Sequence, residues 1–590
     1  MADDDSTKDG QWTSRNRSIL ELGGLVVLCL VAHGRVIDGG FHYDDLHSIV
    51  DNPHIRSLSL VPTLFTDPGT FSGLDFGEMF RPLIMLSYSL TFAVSGLEPM
   101  AFLLTNLLLH VGVVVLGFIV FCHVWHDRRP AIVAAALFAV HPINVETVAY
   151  VSSRSESFCG LFMLAAFLAH LKIRESAWPC ALILLFALMC KSIAIVLVPL
   201  LWIHDGMFVR DTWQERGRRL WPLGLVVVGY LWVVAGLLST AVLDAPVRPL
   251  TVQLMTQVKA LVYYAHLLTI PWGLSVEHQF SLGSGEDLAV WLSLIALFSS
   301  GAVILRCSGP KTRWWLLWSG LILLPTLIVP LNVLVNEHRL YLVSLGLTIL
   351  LASLVLTSRV VIRGASTLAL LVLILLSFQR TATWADSTQL WQDALDRGPL
   401  MPRPHLFVGD AHFVAGQHGL ALERYAAALT VNPRQLSAAD QLVLHNNRGA
   451  TLLAMGAFDE AGQAFEQALR IDPTYGPALE SLQGIRALQK SSTGAETAAA
   501  SRRAGLASLV AGDVHAAIQH LSHSVGIEND TGTWMALAGA HERLEQWAEA
   551  ARIYQMLSTS NQASERALER LAAIESKSIE YRRASGGGTK

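Results

Sequence analysis

Up to about residue 380 the chain alternates long apolar runs with short polar loops; beyond it, apolar residues recur at helical spacing among Ala, Glu, Gln and Arg. The first pattern is that of membrane helices, since a bilayer's hydrocarbon core takes about 20 helical residues. The second is that of amphipathic helices in water. The runs predict spans over 19–37, 98–125, 130–150, 155–171, 221–243, 288–306, 314–334, 340–358 and 361–378. The first begins too late, and precedes too large a polar loop, for a cleaved signal peptide, so it reads as an anchor. Arg15 and Arg17, Arg128 and Arg129, and Lys172 and Arg174 alternate as cytoplasmic flanks, as do the basic residues around 306–313 and 359–363. The basic stretch 210–219 wants that same face, so 178–204 cannot cross only once and reads as two short helices meeting at Lys191. Residues 251–272, with Lys259 and His266, fit an interfacial or re-entrant helix instead. The count comes to about eleven crossings, with the acidic loop 38–97 and the C-terminal part on the non-cytoplasmic side.

That C-terminal part repeats itself. Gly409, Gly416, Ala421, Tyr425, Ala428 and Pro433 recur 40 residues later as Gly449, Gly456, Ala461, Phe465, Ala468 and Pro473. This is the tetratricopeptide pattern, stretched by a short insertion: small residues let paired helices approach, Tyr425 and Phe465 fill the seam, and the prolines close each second helix. A third unit follows with Gly505, Gly512, Ala517 and Leu521, and a fourth with Ala538, Ala550 and Tyr554. Residues 489–501, "QKSSTGAETAAAS", read as a flexible insertion, and 564–577 as a capping helix. Repeat arrays of this kind offer a concave surface to a polypeptide, so protein binding is the expected role.

The fold class is therefore all-α. A tail, 1–18, leads into a polytopic bundle, 19–380; a connector, 381–402, leads to a solenoid of helix pairs, 403–577, and a flexible tail, 578–590. Composition agrees, with 52% hydrophobic residues, 15% charged and a mean hydropathy of +0.43, far too apolar for a soluble chain of this length. The net charge of −4 gives no reason to expect nucleic acid as a partner. Six cysteines, all in or beside apolar runs, form no disulfide or metal framework.

Charges gather on one side. The loop stretch "FHYDD" carries Asp44 and Asp45, and the same face receives Arg81, His141, Glu146, Arg154, Glu156, Lys191, Glu337, His338 and Arg339 from separate segments. Several lie within apolar helices, where an unpaired ion is expensive, so pairing or ligand binding is expected. Asn106 and His110, one turn apart, predict a face of interhelical hydrogen bonds.

The motifs "FHYDD", "FRPL", "NLLLH", "LFAVHPINVETVAYVSSRSE", the hairpin at Lys191, "EHRLYLVSLG" and "RTATWADSTQLWQDAL" running into the repeats resemble, in that order, the transmembrane and tetratricopeptide-repeat O-mannosyltransferases of the C-type glycosyltransferase superfamily. The resemblance covers nearly the whole chain. It implies a polyprenyl- or dolichyl-phosphate-linked sugar donor, typically mannose, a protein hydroxyl as acceptor, and chemistry on the extracytoplasmic face. The chain departs from the family pattern at Ser153-Arg154-Ser155-Glu156, where relatives commonly show Gly-Arg-x-Asp. Ser192 replaces the usual Glu after Lys191, and Glu337-His338-Arg339 replaces Glu-Arg-x.

The residue types suit that reaction. A lipid phosphate gathers negative charge as the glycosidic bond breaks, and cationic groups stabilise it; a carboxylate can take the proton from the attacking hydroxyl, for a contribution of roughly 10²–10⁴-fold. Asp44 or Asp45 is the expected base. Arg154, Lys191, His338 and Arg339 are candidate phosphate contacts, against a reading in which they pair with Glu146, Glu156 or Glu337 to hold helices together; Arg81 is counted with them, and His141 either acts directly or caps a kink at Pro142. The second aspartate could instead hold Mg²⁺ or Mn²⁺, for which carboxylates and water are the fitting ligands. Two other readings stand beside this one: transfer of the sugar to an envelope glycan or lipid, and a noncatalytic membrane scaffold working through its repeats. The expected compartment is the plasma membrane of a bacterium with the repeats in the periplasm, or the endoplasmic reticulum with the repeats in its lumen.

Overall fold

The computed structural model describes residues 3–73, 79–239, 247–357, 360–432, 435–490, 494–558 and 564–585. It forms two compact units, Met1–Val408 with Ala427–Gln435, and Gly409–Ala426 with Leu436–Lys590. Among the described residues there is no strand.

The first unit is a bundle of apolar helices. Among the described residues seven are long and apolar enough to cross a membrane, or eight if the bent pair Arg128–Val140 and Pro142–Ala149 is one span. The pair turns by 54° at His141, because Pro142 has no N–H to continue the helix and biases the residue before it away from helical backbone. Two shorter apolar helices, Pro82–Ser95 and Trp178–Cys190, accompany them. The first of these falls within the loop predicted over 38–97; at 14 residues it is too short to register as a span. The second ends at Lys191, whose backbone is extended (φ −161°, ψ 132°) before the chain resumes as Ser192–Val209. That is the break expected at Lys191. Helix Leu288–Cys307 exposes Leu288, Trp291, Leu292, Ile295 and Phe298, the composition of a lipid-facing surface. The interior is closed by Trp314, Trp315 and Trp318, all fully buried, with Trp314 stacked 4.8 Å from Phe167.

From Pro402 onward the helices come in pairs. His418–Val431 follows Pro402–Val414, Phe458–Ile471 follows Ala438–Ala454, Val514–Ile527 follows Gly494–Ala511, and Trp547–Ser558 follows Thr531–Arg543. The turns inside the first three pairs pass through Gly416, Gly456 and Gly512 at φ between 72° and 85°, a left-handed conformation that glycine adopts without strain. Residues 489–501, expected to be a flexible insertion, are instead largely helical, since Gly494–Ala511 is one continuous helix; the run of alanines there has the highest helix propensity of any residue. Residues 491–493 lie outside the described residues. The last helix, Ser564–Ser585, runs past the predicted limit of 577 and through the start of the expected flexible tail 578–590, whose residues 586–590 lie outside the described residues.

The repeat glycines do what the spacing predicts. A methyl group at Gly449 would come within 2.8 Å of the Phe465 ring, and one at Gly409 within 2.6 Å of Tyr425. Gly449→Val is therefore expected to destabilise the repeats by about 1–3 kcal/mol, read as faster limited proteolysis of the C-terminal part; an unchanged cleavage rate would show that this helix pair tolerates separation.

Candidate functional site

The aspartate doublet is presented by a strained turn. Tyr43 has φ +41°, an unfavourable conformation for an aromatic residue that costs on the order of 1–3 kcal/mol. Its ring is held by Phe407 at 5.3 Å and by the Arg403 guanidinium at 5.5 Å, and Arg403 is in turn paired with Glu277. The turn sends the two acids in opposite directions. Asp45 faces inward and is fully buried: Oδ2 accepts from the His42 N–H at 3.0 Å, and Oδ1 accepts from the Ser152 N–H at 2.7 Å and its hydroxyl at 2.5 Å. Asp44 faces outward, with its side chain 44% exposed and Oδ1 3.5 Å from His47 Nε2. Its own N–H donates to the Tyr150 hydroxyl at 3.0 Å, and His47 Nδ1 is 3.1 Å from Ser72 Oγ.

Their electrostatics differ accordingly. Burial pushes the Asp45 carboxyl up to about 7, against the three hydrogen bonds that favour its charged form. For Asp44 burial acts in the same direction but is outweighed by the hydrogen bond and charge of His47, so its carboxyl sits below the ordinary value. A carboxyl raised in the folded state contributes stability that is complete below its unfolded value, near 3.8, and is lost as pH rises through the folded one. Asp45→Asn is thus expected to remove part of the fall in thermal stability between pH 5 and pH 8. Parallel melting curves for the two proteins across that range would contradict it.

Around the doublet stand the other charges. Lys191 is paired with Glu156, with side-chain exposures of 17% and 3%. It also lies in the field of Arg81, so a second cation stands near Lys191. Arg81, at the start of helix Pro82–Ser95, has Nη1 3.5 Å from Ser155 Oγ and its guanidinium 5.5 Å from the Phe71 ring. His338 Nδ1 is 2.8 Å from Glu146 Oε1, and the same imidazole feels the charges of Lys191, Glu156, Arg339 and Asp44. Segments far apart in sequence therefore share one electrostatic neighbourhood. Arg339 donates to the Leu334 and Val333 carbonyls at 3.2 and 2.8 Å. Glu337 is fully buried, its Oε1 accepting from the Ser275 N–H at 2.5 Å and lying 3.1 Å from His278 Nε2.

Two of the expected site residues are occupied by structure. Arg154 is fully buried; it donates to Asn106 Oδ1 and the Phe102 carbonyl, both at 2.8 Å, and to the Ser87 hydroxyl at 3.2 Å. These contacts fasten three helices to the one guanidinium. His141 spends both ring nitrogens, accepting from the Ile143 N–H at 3.2 Å and reaching the Leu268 carbonyl at 3.0 Å, which is the kink-capping role. Asn106 and His110 form the predicted interhelical face, bonded to the Tyr150 carbonyl at 3.0 Å and the Tyr341 hydroxyl at 2.9 Å. With Asp45 turned inward, Asp44 is the carboxylate of the doublet available to Mg²⁺ or Mn²⁺, a single oxygen-donor residue where such ions usually take several. His47, Tyr150 and His278 were not singled out from the sequence. His47 could have been, standing three residues after Asp44 on the same turn; Tyr150 and His278 are brought in only by tertiary packing.

These features define a multi-pass α-helical membrane protein carrying a tetratricopeptide array, with charged side chains gathered where loops meet helix ends. A family model described as "Tetratricopeptide repeat" matches residues 443–475. Protein O-mannosyl-transferase TMTC3 of Homo sapiens is 26% identical over 522 residues, 78% of this chain and 56% of that protein. TMTC4 of Homo sapiens is 28% identical over 491 residues, 69% of this chain and 65% of its own. TMTC1 of Homo sapiens reaches 36% identity over 156 residues, 25% of this chain and 17% of that protein. The chain is thus related over most of its length to the protein O-mannosyl-transferases that its motifs resemble. It spans little more than half the length of the first of these relatives.

Proposed function

We propose that the protein is an integral-membrane glycosyltransferase that moves a sugar, mannose by analogy with its relatives, from a polyprenyl- or dolichyl-phosphate donor to serine or threonine hydroxyls of proteins on the non-cytoplasmic side. The observation that carries this reading is that charged groups from separate segments, Lys191, Glu156, Arg339 and the exposed Asp44, all act on the one imidazole of His338. In the reaction the acceptor oxygen bonds to the anomeric carbon and its proton passes to Asp44. The bond from that carbon to the phosphate oxygen breaks, and its electron pair leaves with the lipid phosphate. Lys191, paired with Glu156, and Arg81, whose charge reaches Lys191, take up the charge of the departing phosphate, together with His338 and Arg339.

The protein sits in the plasma membrane of a bacterium, or in the endoplasmic reticulum of a eukaryote, with loop 38–97 and the repeats facing away from the cytoplasm. The repeats bind the acceptor or a partner protein. Comparing intact masses of extracytoplasmic proteins from cells with and without the gene tests the reading. Hexose increments are expected only in its presence; unchanged masses, with altered envelope glycans or lipids, would move the acceptor to those molecules.

A further inference from the structure

A second cluster of polar side chains lies among residues that the proposed transfer reaction does not use. His170 is in the last turn of helix Arg154–Lys172, His204 ends helix Leu197–His204, and Asp205 begins the turn that follows it. All three are buried, at 3%, 6% and 0% exposure. One ligand atom from each lies within 4.8 Å of the others. We propose that His170, His204 and Asp205 form a site for a zinc-class transition-metal ion that joins the ends of these helices.

The donor set decides the class of ion. Two imidazoles and one carboxylate suit Zn²⁺, Co²⁺ or Ni²⁺, whereas Mg²⁺ and Ca²⁺ take mostly oxygen ligands and several of them. Asp205 Oδ1 is 2.8 Å from His170 Nε2 and 3.2 Å from His204 Nδ1, so the three ligand atoms converge on one point. The surroundings have the form of a second ligand shell. Arg219, on helix Trp213–Ser239, donates to Asp205 Oδ2 at 3.2 Å and to the His170 carbonyl at 2.9 Å. It holds the far oxygen and leaves Oδ1 to the ion. The His204 ring is fixed by Phe208, Phe167 and Trp314 at 5.1, 5.3 and 5.6 Å, an apolar wall that keeps the site dry. Three protein ligands leave one coordination position for water or a fourth group.

The same atoms could close on themselves as a hydrogen-bond network, both imidazoles donating to Asp205 Oδ1, and the test separates the two. Full-length protein would be purified in detergent through a tag without histidine, passed over a chelating resin and assayed for metal. About one equivalent of zinc is expected, with His170→Ala and His204→Ala each lowering it at least about tenfold. Protein depleted of zinc and loaded with Co²⁺ should show visible absorption bands of a nitrogen- and oxygen-ligated ion. Wild-type protein with less than about a tenth of an equivalent and no such bands overturns the proposal in favour of the hydrogen-bond network. The cobalt spectrum of the wild type decides the matter even if the variants fail to fold. Metal content is read without any transfer assay, so failure of this proposal and failure of the transferase reading are distinguishable.

Discussion

Asp44→Asn is expected to lower sugar transfer by about 10²–10⁴-fold, the loss of a general base, with little change in thermal stability. The side chain is 44% exposed, its nearest charged partner is His47, and its backbone N–H bond to Tyr150 survives the change. Asp45→Asn should behave differently. Three donors converge on that carboxylate, and an amide can accept from only some of them while adding donors of its own. Its loss of activity should therefore come with a loosened loop, read as earlier proteolysis of 38–97. Assaying both variants with a lipid-phosphate sugar donor and an acceptor peptide separates the two roles. Full activity in Asp44→Asn would remove the base from the mechanism, and with it the strongest argument against a noncatalytic scaffold.

The second large effect belongs to the pair at the helix break. Lys191→Ala leaves Glu156, 3% exposed, without its cation, and removing one partner of such a pair costs roughly 3–5 kcal/mol. A marked drop in melting temperature in detergent is expected. Combining Lys191→Met with Glu156→Gln should restore much of that stability, since no buried charge is then left alone, but should not restore transfer, since the phosphate has lost one of its cations. A double variant that regains activity along with stability would reduce the pair to a structural brace.

Much of this arrangement is legible in the sequence where polarity conflicts with its surroundings. Lys191 inside an apolar run, flanked by loops that want the same face, announces a broken helix, and the backbone is extended there. Asn106 and His110, a turn apart on a long apolar helix, announce an interhelical face. Partner choice was harder to read. Glu337 meets His278, from a stretch with no regular period, and Arg154 meets neutral oxygens from helices Pro82–Ser95 and Pro99–Trp125 where a carboxylate or a phosphate was expected. Such pairings depend on which helices become neighbours, and nothing local encodes that. Helix Pro82–Ser95 escaped for a different reason: an apolar segment of 14 residues fits a short or re-entrant element as well as a loop.

The positive φ of Tyr43 comes just before the two acids. Asp44 and Asp45 are the same amino acid, yet in the turn that follows this residue Asp45 is a buried strut held by three donors and Asp44 is the one left partly exposed. Geometry, more than residue type, thus separates the two acids, and the carboxylate proposed as the base is the one this turn leaves open.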